Sequence, residues 1–107
     1  MDMVKRFEIY LVDLNPNIAS EINKIRPAVV ISPNEMNAAL NTTIIAPLTS
    51  TLKAYPMRVK CTVDGKKGQV ALDHLRSVDK RSLKTKLGEI EDATQKDIIN
   101  TLLEMFS

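Results

Sequence analysis

Arg26 stands directly before Pro27, and this pair is the first place in the sequence where chemistry suggests itself. A proline pushes the residue before it out of the helical region into extended backbone. The guanidinium is therefore presented from a strand entrance, and its planar fork of donors matches two oxygens of a phosphate. The plainer alternative is a surface ion pair. Thr49 follows Pro47-Leu48 at the end of a β-branched run. Its hydroxyl can donate to a phosphate oxygen or orient a nucleophile, or merely start a turn by bonding its own main chain. Ser50 and Thr51 are further donors beside it. Glu21, in the polar stretch ahead of Arg26, has the chemistry of a general base or of a partner orienting that arginine. Its alternative is a solvated loop carboxylate.

The formal net charge is only +2, but it is unevenly spread. Residues 53–88 carry ten basic and three acidic side chains, whereas residues 1–52 sum to −1 and residues 89–107 to −4. A basic block between neutral and acidic ones suggests a polyanion-binding face, with a solvated set of surface lysines as the alternative. One cysteine, one histidine and scattered carboxylates give none of the usual metal-ligand spacings. Three glycines form no phosphate-cradling loop. No metal and no cofactor are expected. Cys61 cannot form an internal disulfide and, in an apolar/polar alternation, reads as a reduced structural thiol.

These groups need a scaffold, and 107 residues suffice for a single domain over residues 1–107. Alternation predicts a strand at about 6–13, broken by Asn15-Pro16-Asn17, and a long polar loop to Ile25. Arg26 to Ser32 is a nearly continuous apolar run, as in a buried strand, with Pro27 at its start. A helical turn or two is predicted over Pro33–Leu40. Strands follow over Thr42–Leu48, Tyr55–Val63 and Gln69–Leu72, the last two joined by a hairpin at Asp64-Gly65 with Lys66-Lys67-Gly68. A short strand over Lys84–Glu89 precedes a helix. That helix has the form of a capping box, Asp92 to Gln95, and a stripe of Ile98, Ile99, Leu102, Leu103 and Phe106. Short antiparallel strands and one amphipathic helix predict a mainly β fold with α: a small, partly open antiparallel barrel closed by the C-terminal helix. No window reaches the length of a membrane span, and Met1–Arg6 lacks the apolar core of a signal peptide. A cytoplasmic protein without a membrane partner is expected.

Four stretches taken together resemble a known family: Ile9 to Pro16, Ser20-Glu21 with Lys24 to Ser32, Ala46 to Ser50, and Val70 to Asp79. Their order and spacing are similar to those of the MazF/PemK toxins of type II toxin–antitoxin modules. The resemblance spans about residues 5–106. It implies an SH3-like barrel, a homodimer, and a metal-independent endoribonuclease that cleaves single-stranded RNA at short motifs. It also implies a cognate antitoxin with an acidic C-terminal segment, DNA being reached only indirectly through that antitoxin.

Catalysis is then expected of Arg26 and Thr49, with Glu21 assisting. In such cleavage the ribose 2′-OH attacks the adjacent phosphorus, and a guanidinium suits the developing phosphorane charge. Ser50, Thr51, Lys53 and Arg58 are expected at the RNA, as are Asp73, His74 and Arg76. The PemK branch places an arginine two residues before the aspartate that is Asp73 here. This chain has Ala71 there, which favours an arrangement centred on Arg26 and Thr49. His74 is a lone histidine where the family usually has glutamine, so RNA contact or simple exposure is expected of it rather than acid–base work. Two other classes compete. A CcdB-like gyrase poison depends on a tryptophan near its C-terminus, and this chain has none. A non-catalytic SH3-like binding module presents an aromatic groove, for which only Phe7, Tyr10, Tyr55 and Phe106 are at hand.

Overall fold

The computed structural model describes residues 3–14 and 25–107. Within them lie seven strands and two α-helices: β1 Glu8–Asp13, β2 Ile25–Val30, α1 Asn34–Ala39, β3 Thr42–Thr49, β4 Arg58–Val63, β5 Lys66–Ala71, β6 Arg76–Asp79, β7 Leu83–Glu89 and α2 Asp92–Met105. Short 3₁₀ turns at Leu72–His74 and Lys80–Ser82 flank β6. Every pairing is antiparallel, in the order β4-β5-β3-β2-β1-β7, and β6 also pairs with β3. The result is the curled, partly open β half-barrel with a C-terminal helix that the alternating pattern predicts.

Both sheet faces are apolar, so two cores form. Ile9, Val29, Ile31, Ala46, Val59, Cys61, Val70 and Leu72 pack under Ile98 of α2. Tyr10, Val12, Ala28, Val30, Ile45, Val78 and Leu83 form the second core on the other face. The α2 stripe is narrower than expected. Ile98, Leu102 and Met105 meet the sheet, while Leu103 is 64% and Phe106 75% exposed. At about 100° per residue Leu103 falls off the buried face, and Phe106 is the C-cap, beyond the last helical residue. The capping box is also corrected: Glu91, not Asp92, is the N-cap and makes no side-chain cap bond, and the Gln95 amide donates to the Ile90 carbonyl (2.8 Å).

The hairpin turn is tighter than the sequence suggested. Asp64 (φ 52°) and Gly65 (φ 76°) alone make it, both left-handed, as a two-residue turn matched to strand twist demands. Lys66 to Gly68 already belong to β5. β4 opens at Arg58 rather than Tyr55, because Met57 (φ 65°) bends the chain just before it. β6 was missed; its four residues lie along the first half of β3, from Thr42 opposite Asp79 to Ile45 opposite Arg76.

Glu8 is a buried acid in β1. It accepts from the Lys5 N–H (2.7 Å) and the Tyr10 hydroxyl (2.9 Å), and Lys86 of β7 lies 2.7 Å away. Burial pushes its carboxyl up, but Lys86, the Lys5 N–H and Tyr10 together outweigh burial and hold it below the ordinary range. A carboxyl lowered by folding adds stability above its unfolded pKa, near 4, and loses it as pH falls through the folded value. Glu8→Gln is therefore expected to cost about 1–3 kcal/mol at neutral pH. That gap should close on acidification below about pH 4, as measured by urea melts of both proteins across pH.

Candidate functional site

Strand register brings the two leading residues together. The β2–β3 ladder runs Val30 to Ile45, Val29 to Ala46 and Ala28 to Pro47. The ladder ends at that last pair, and Arg26 and Thr49 each lie two residues beyond it, at the same end of the two strands. Alternation places both on the face of Ala28, Val30 and Ile45, away from α2. Arg26 is exposed and Thr49 half-buried. Arg76, opposite Ile45 on the same face, extends its guanidinium to the Leu14 carbonyl (3.3 Å) at the end of β1. Glu21 lies outside the described residues.

The row continues across the sheet. Thr49 pairs with Gln69 of β5, and Gln69 with Lys60 of β4. Gly68 makes this approach possible, because a Cβ built on it would sit 2.8 Å from the Thr49 carbonyl oxygen. The Thr49 hydroxyl accepts from the Thr51 N–H (3.1 Å), so the turn-starting role foreseen as an alternative is real. That bond uses a lone pair and leaves the hydroxyl proton to be donated. Gln69, only 3% exposed, grips the following loop. Its Oε1 accepts from the Lys53 N–H (3.1 Å) and its Nε2 donates to the Lys53 carbonyl (2.8 Å).

The other expected contacts gather elsewhere. Arg58 donates to both Asp73 oxygens, from Nε at 2.6 Å and Nη2 at 3.1 Å, and its guanidinium lies 5.1 Å from the centre of the Tyr55 ring. The bond from Arg58 holds the Asp73 carboxyl below the ordinary carboxylate range. Asp73 thus ties the 3₁₀ turn to β4. His74 Nε2 is 3.4 Å from Asp73, with its side chain 64% exposed. Ser50, Thr51 and Lys53 are exposed along the loop after Thr49. Cys61 is buried, and burial pushes its thiol up, as fits a structural cysteine.

Two hollows mark opposite ends of β3. An open pocket of about 290 Å³ reaches from Thr49 and Ser50 to Pro27, Cys61 and Leu87. A larger one, about 730 Å³, lies by Asn37, Asn41 and Asp79–Arg81. Size favours the second, but Arg81 there is bonded to Asp79 (3.0 Å), whereas the first is lined by Thr49 and by Pro27, the chain neighbour of Arg26. Gln69 and Gly68 were not foreseen. A glycine in a strand interior is a known sign of close backbone approach, and it was the one signal on offer.

The curled β half-barrel with its C-terminal helix is the fold of solved bacterial toxins, among them a toxin of Mycobacterium tuberculosis. The PemK-like, MazF-like toxins of type II toxin–antitoxin systems match residues 5–106, and the chain belongs to that family. It is 29% identical over 106 residues to the endoribonuclease MazF of Staphylococcus saprophyticus, covering 94% of this chain and 88% of that one. MazF of Deinococcus radiodurans superposes with a TM-score of 0.79 at 27% identity, over 99% of this chain and 98% of that chain. The MazE–MazF structure (Form-II) from the same organism gives a TM-score of 0.83 at 27% identity, covering 99% and 97%. No helix among the described residues is long and apolar enough to cross a membrane.

The close contact at Gly68 generates a test. Gly68→Ala is expected to force the β3 and β5 backbones apart, costing about 1–3 kcal/mol in a thermal or urea melt. An alanine tolerated with no loss of stability would mean that this approach is looser than 2.8 Å implies.

Proposed function

We propose that this chain is an endoribonuclease toxin that cleaves single-stranded RNA at short sequence motifs and is silenced by a cognate antitoxin. What carries the reading is the strand alternation that turns Arg26 and Thr49 to one face at the same end of β2 and β3, in a member of this toxin family. The S. saprophyticus relative, named an endoribonuclease, supports it.

The chemistry needs no metal. The 2′-OH loses its proton to a base, its oxygen bonds to the adjacent phosphorus, and the phosphorus–O5′ bond breaks as the 5′ oxygen takes up a proton. The products are a 2′,3′-cyclic phosphate and a 5′-OH. The Arg26 guanidinium neutralises the phosphorane oxygens by paired donation. The Thr49 hydroxyl donates its free proton to the same group or orients the 2′-OH. Glu21 is proposed to take the 2′ proton or to orient Arg26. Ser50, Thr51, Lys53 and Arg76 are proposed to hold the RNA on either side. Arg58, Asp73 and His74 contribute from the neighbouring cluster. A homodimer is proposed, since a small core gains from further burial. The antitoxin is proposed to lay an acidic segment over the basic region and order as it binds, carrying the complex to DNA.

The deciding experiment incubates the pure protein with a long mixed-sequence RNA in EDTA and maps the 5′ ends. Cleavage is expected, with cyclic-phosphate and 5′-OH termini. Activity lost in EDTA and restored by magnesium would sink the mechanism. Arg26→Ala should lower the single-turnover rate by about 100- to 1,000-fold with the fold intact. Arg26→Lys should rescue it poorly, because an ammonium is a point charge without the paired fork. His74→Gln should keep most of the rate, and a loss equal to that of Arg26→Ala would displace the assigned centre.

The quaternary proposal is checked separately by sedimentation. A dimer is expected at micromolar concentration, and a monomer there would defeat it.

A further inference from the structure

The loop from Ser50 to Pro56 carries three of the expected RNA contacts, yet it has no regular structure of its own. Three ties hold it. The Thr51 N–H bonds the Thr49 hydroxyl (3.1 Å) at one end, and Tyr55 packs on the Arg58 guanidinium (5.1 Å) at the other. Between them the Gln69 carboxamide closes a two-bond clamp on the main chain of Lys53. Each outer tie has one exposed member, Thr51 or Tyr55, whereas Gln69 is 3% exposed and sits directly across from Thr49. A buried carboxamide satisfied at both its oxygen and its nitrogen is rigid, because losing either bond strands a polar group away from water.

We propose that Gln69 is a positioning residue for the ribonuclease site. By fixing Lys53 it fixes the span 49–53, and with it the direction of the Thr49 hydroxyl and the placement of Ser50 and Thr51. The role rests on the ribonuclease reading above and goes beyond it, since Gln69 acts on the chemistry through Thr49 without meeting the RNA. The other face of its strand supports the same geometry: Gly68 lets β5 approach until the Thr49 carbonyl is at contact distance. Backbone approach and side-chain clamp therefore converge on one residue from adjacent positions in one strand.

The test compares the full chain with Gln69→Leu, Gln69→Glu and Thr49→Ala on one mixed-sequence RNA under single-turnover conditions, following amide exchange at Lys53 in parallel. Gln69→Leu should lose protection at Lys53, and its rate at saturating RNA should fall by up to about a hundredfold, a larger loss than any in RNA affinity. Gln69→Glu still accepts from the Lys53 N–H but offers no donor to the carbonyl, so it should fall between the two. Adding Gln69→Leu to Thr49→Ala should cost little more than Thr49→Ala alone, because both act at one point. Loss of Lys53 protection with an unchanged rate overturns the proposal, as does a loss confined to RNA affinity. If Gln69→Leu does not fold, Gln69→Glu decides by the same readouts. A parent that cleaves no RNA sinks the ribonuclease reading and the positioning role together, whereas a cleaving parent with an indifferent Gln69 sinks only the latter.

Discussion

Eight residues of β3 serve three partner strands, and the rest of the structure depends on that sharing. Its first half pairs with β6, its middle with β2 and its end with β5. Antiparallel register is a two-state choice for every side chain, since a slip of one residue turns the strand over. Here a slip would send Thr49 into the helix-side core and Ile45 out of its own, breaking the packing of both cores at once. The two apolar cores therefore enforce the site: Ile45 cannot stay in its core unless Thr49 faces the same way. Pro47 shows how one strand can change partners. It lies between Ile45, the last residue paired to β6, and Leu48, the first paired to β5. A proline offers no N–H to a ladder, and on that edge it occupies the stretch between the two ladders.

The site thus has two kinds of support. Arg26 and Thr49 are placed by main-chain register, which leaves them little freedom of position. The loop after Thr49 is placed by side chains reaching in from β4 and β5. That division fits the proposed chemistry. A phosphorane needs donors at fixed positions, whereas the surface that reads an RNA sequence gains from being built on a loop over a rigid scaffold.

Much of this was legible in the sequence where the signal was local. Asp64-Gly65 announced a left-handed turn because few other pairs tolerate two positive φ values. Arg26-Pro27 announced an extended arginine for steric reasons that hold in any fold. The missed features have partners distant in the chain. β6 is four residues long, and only the available stretch of β3, more than thirty residues earlier, makes it a strand. Gln69 looks like an ordinary polar residue in a strand until the fold brings Lys53, sixteen residues away, over it. The α2 stripe was overestimated because five apolar residues at helical spacing do not say which of them a curved sheet reaches. The cap shifted by one residue because Gln95 bonds a carbonyl preceding the helix rather than closing a reciprocal box.

The basic block shows how structure changes the meaning of a count. Ten cations crowd residues 53–88, but the fold engages several internally: Arg58 with Asp73, Arg81 with Asp79, Lys86 with Glu8. A cation already paired has little field left for an approaching phosphate. Lys53, Lys60 and Lys67 make no ion pair among the described residues, and their placement is not random. Lys60 lies beside Gln69 in the row that starts at Thr49, and Lys67 is one alternation further along the same face of β5. Lys66, Arg76, Lys80 and Lys84 likewise make no ion pair among the described residues, so the unpaired charge extends along the block and includes the stretch next to the hydroxyl. Binding that relies on such contacts weakens with salt in proportion to the phosphates neutralised, at about 0.7 log units per contact for each tenfold rise in salt for a single strand. A chain with net charge +2 can therefore present a cationic approach to one end of β3, because Lys53, Lys60 and Lys67 are among the charges that folding leaves uncancelled.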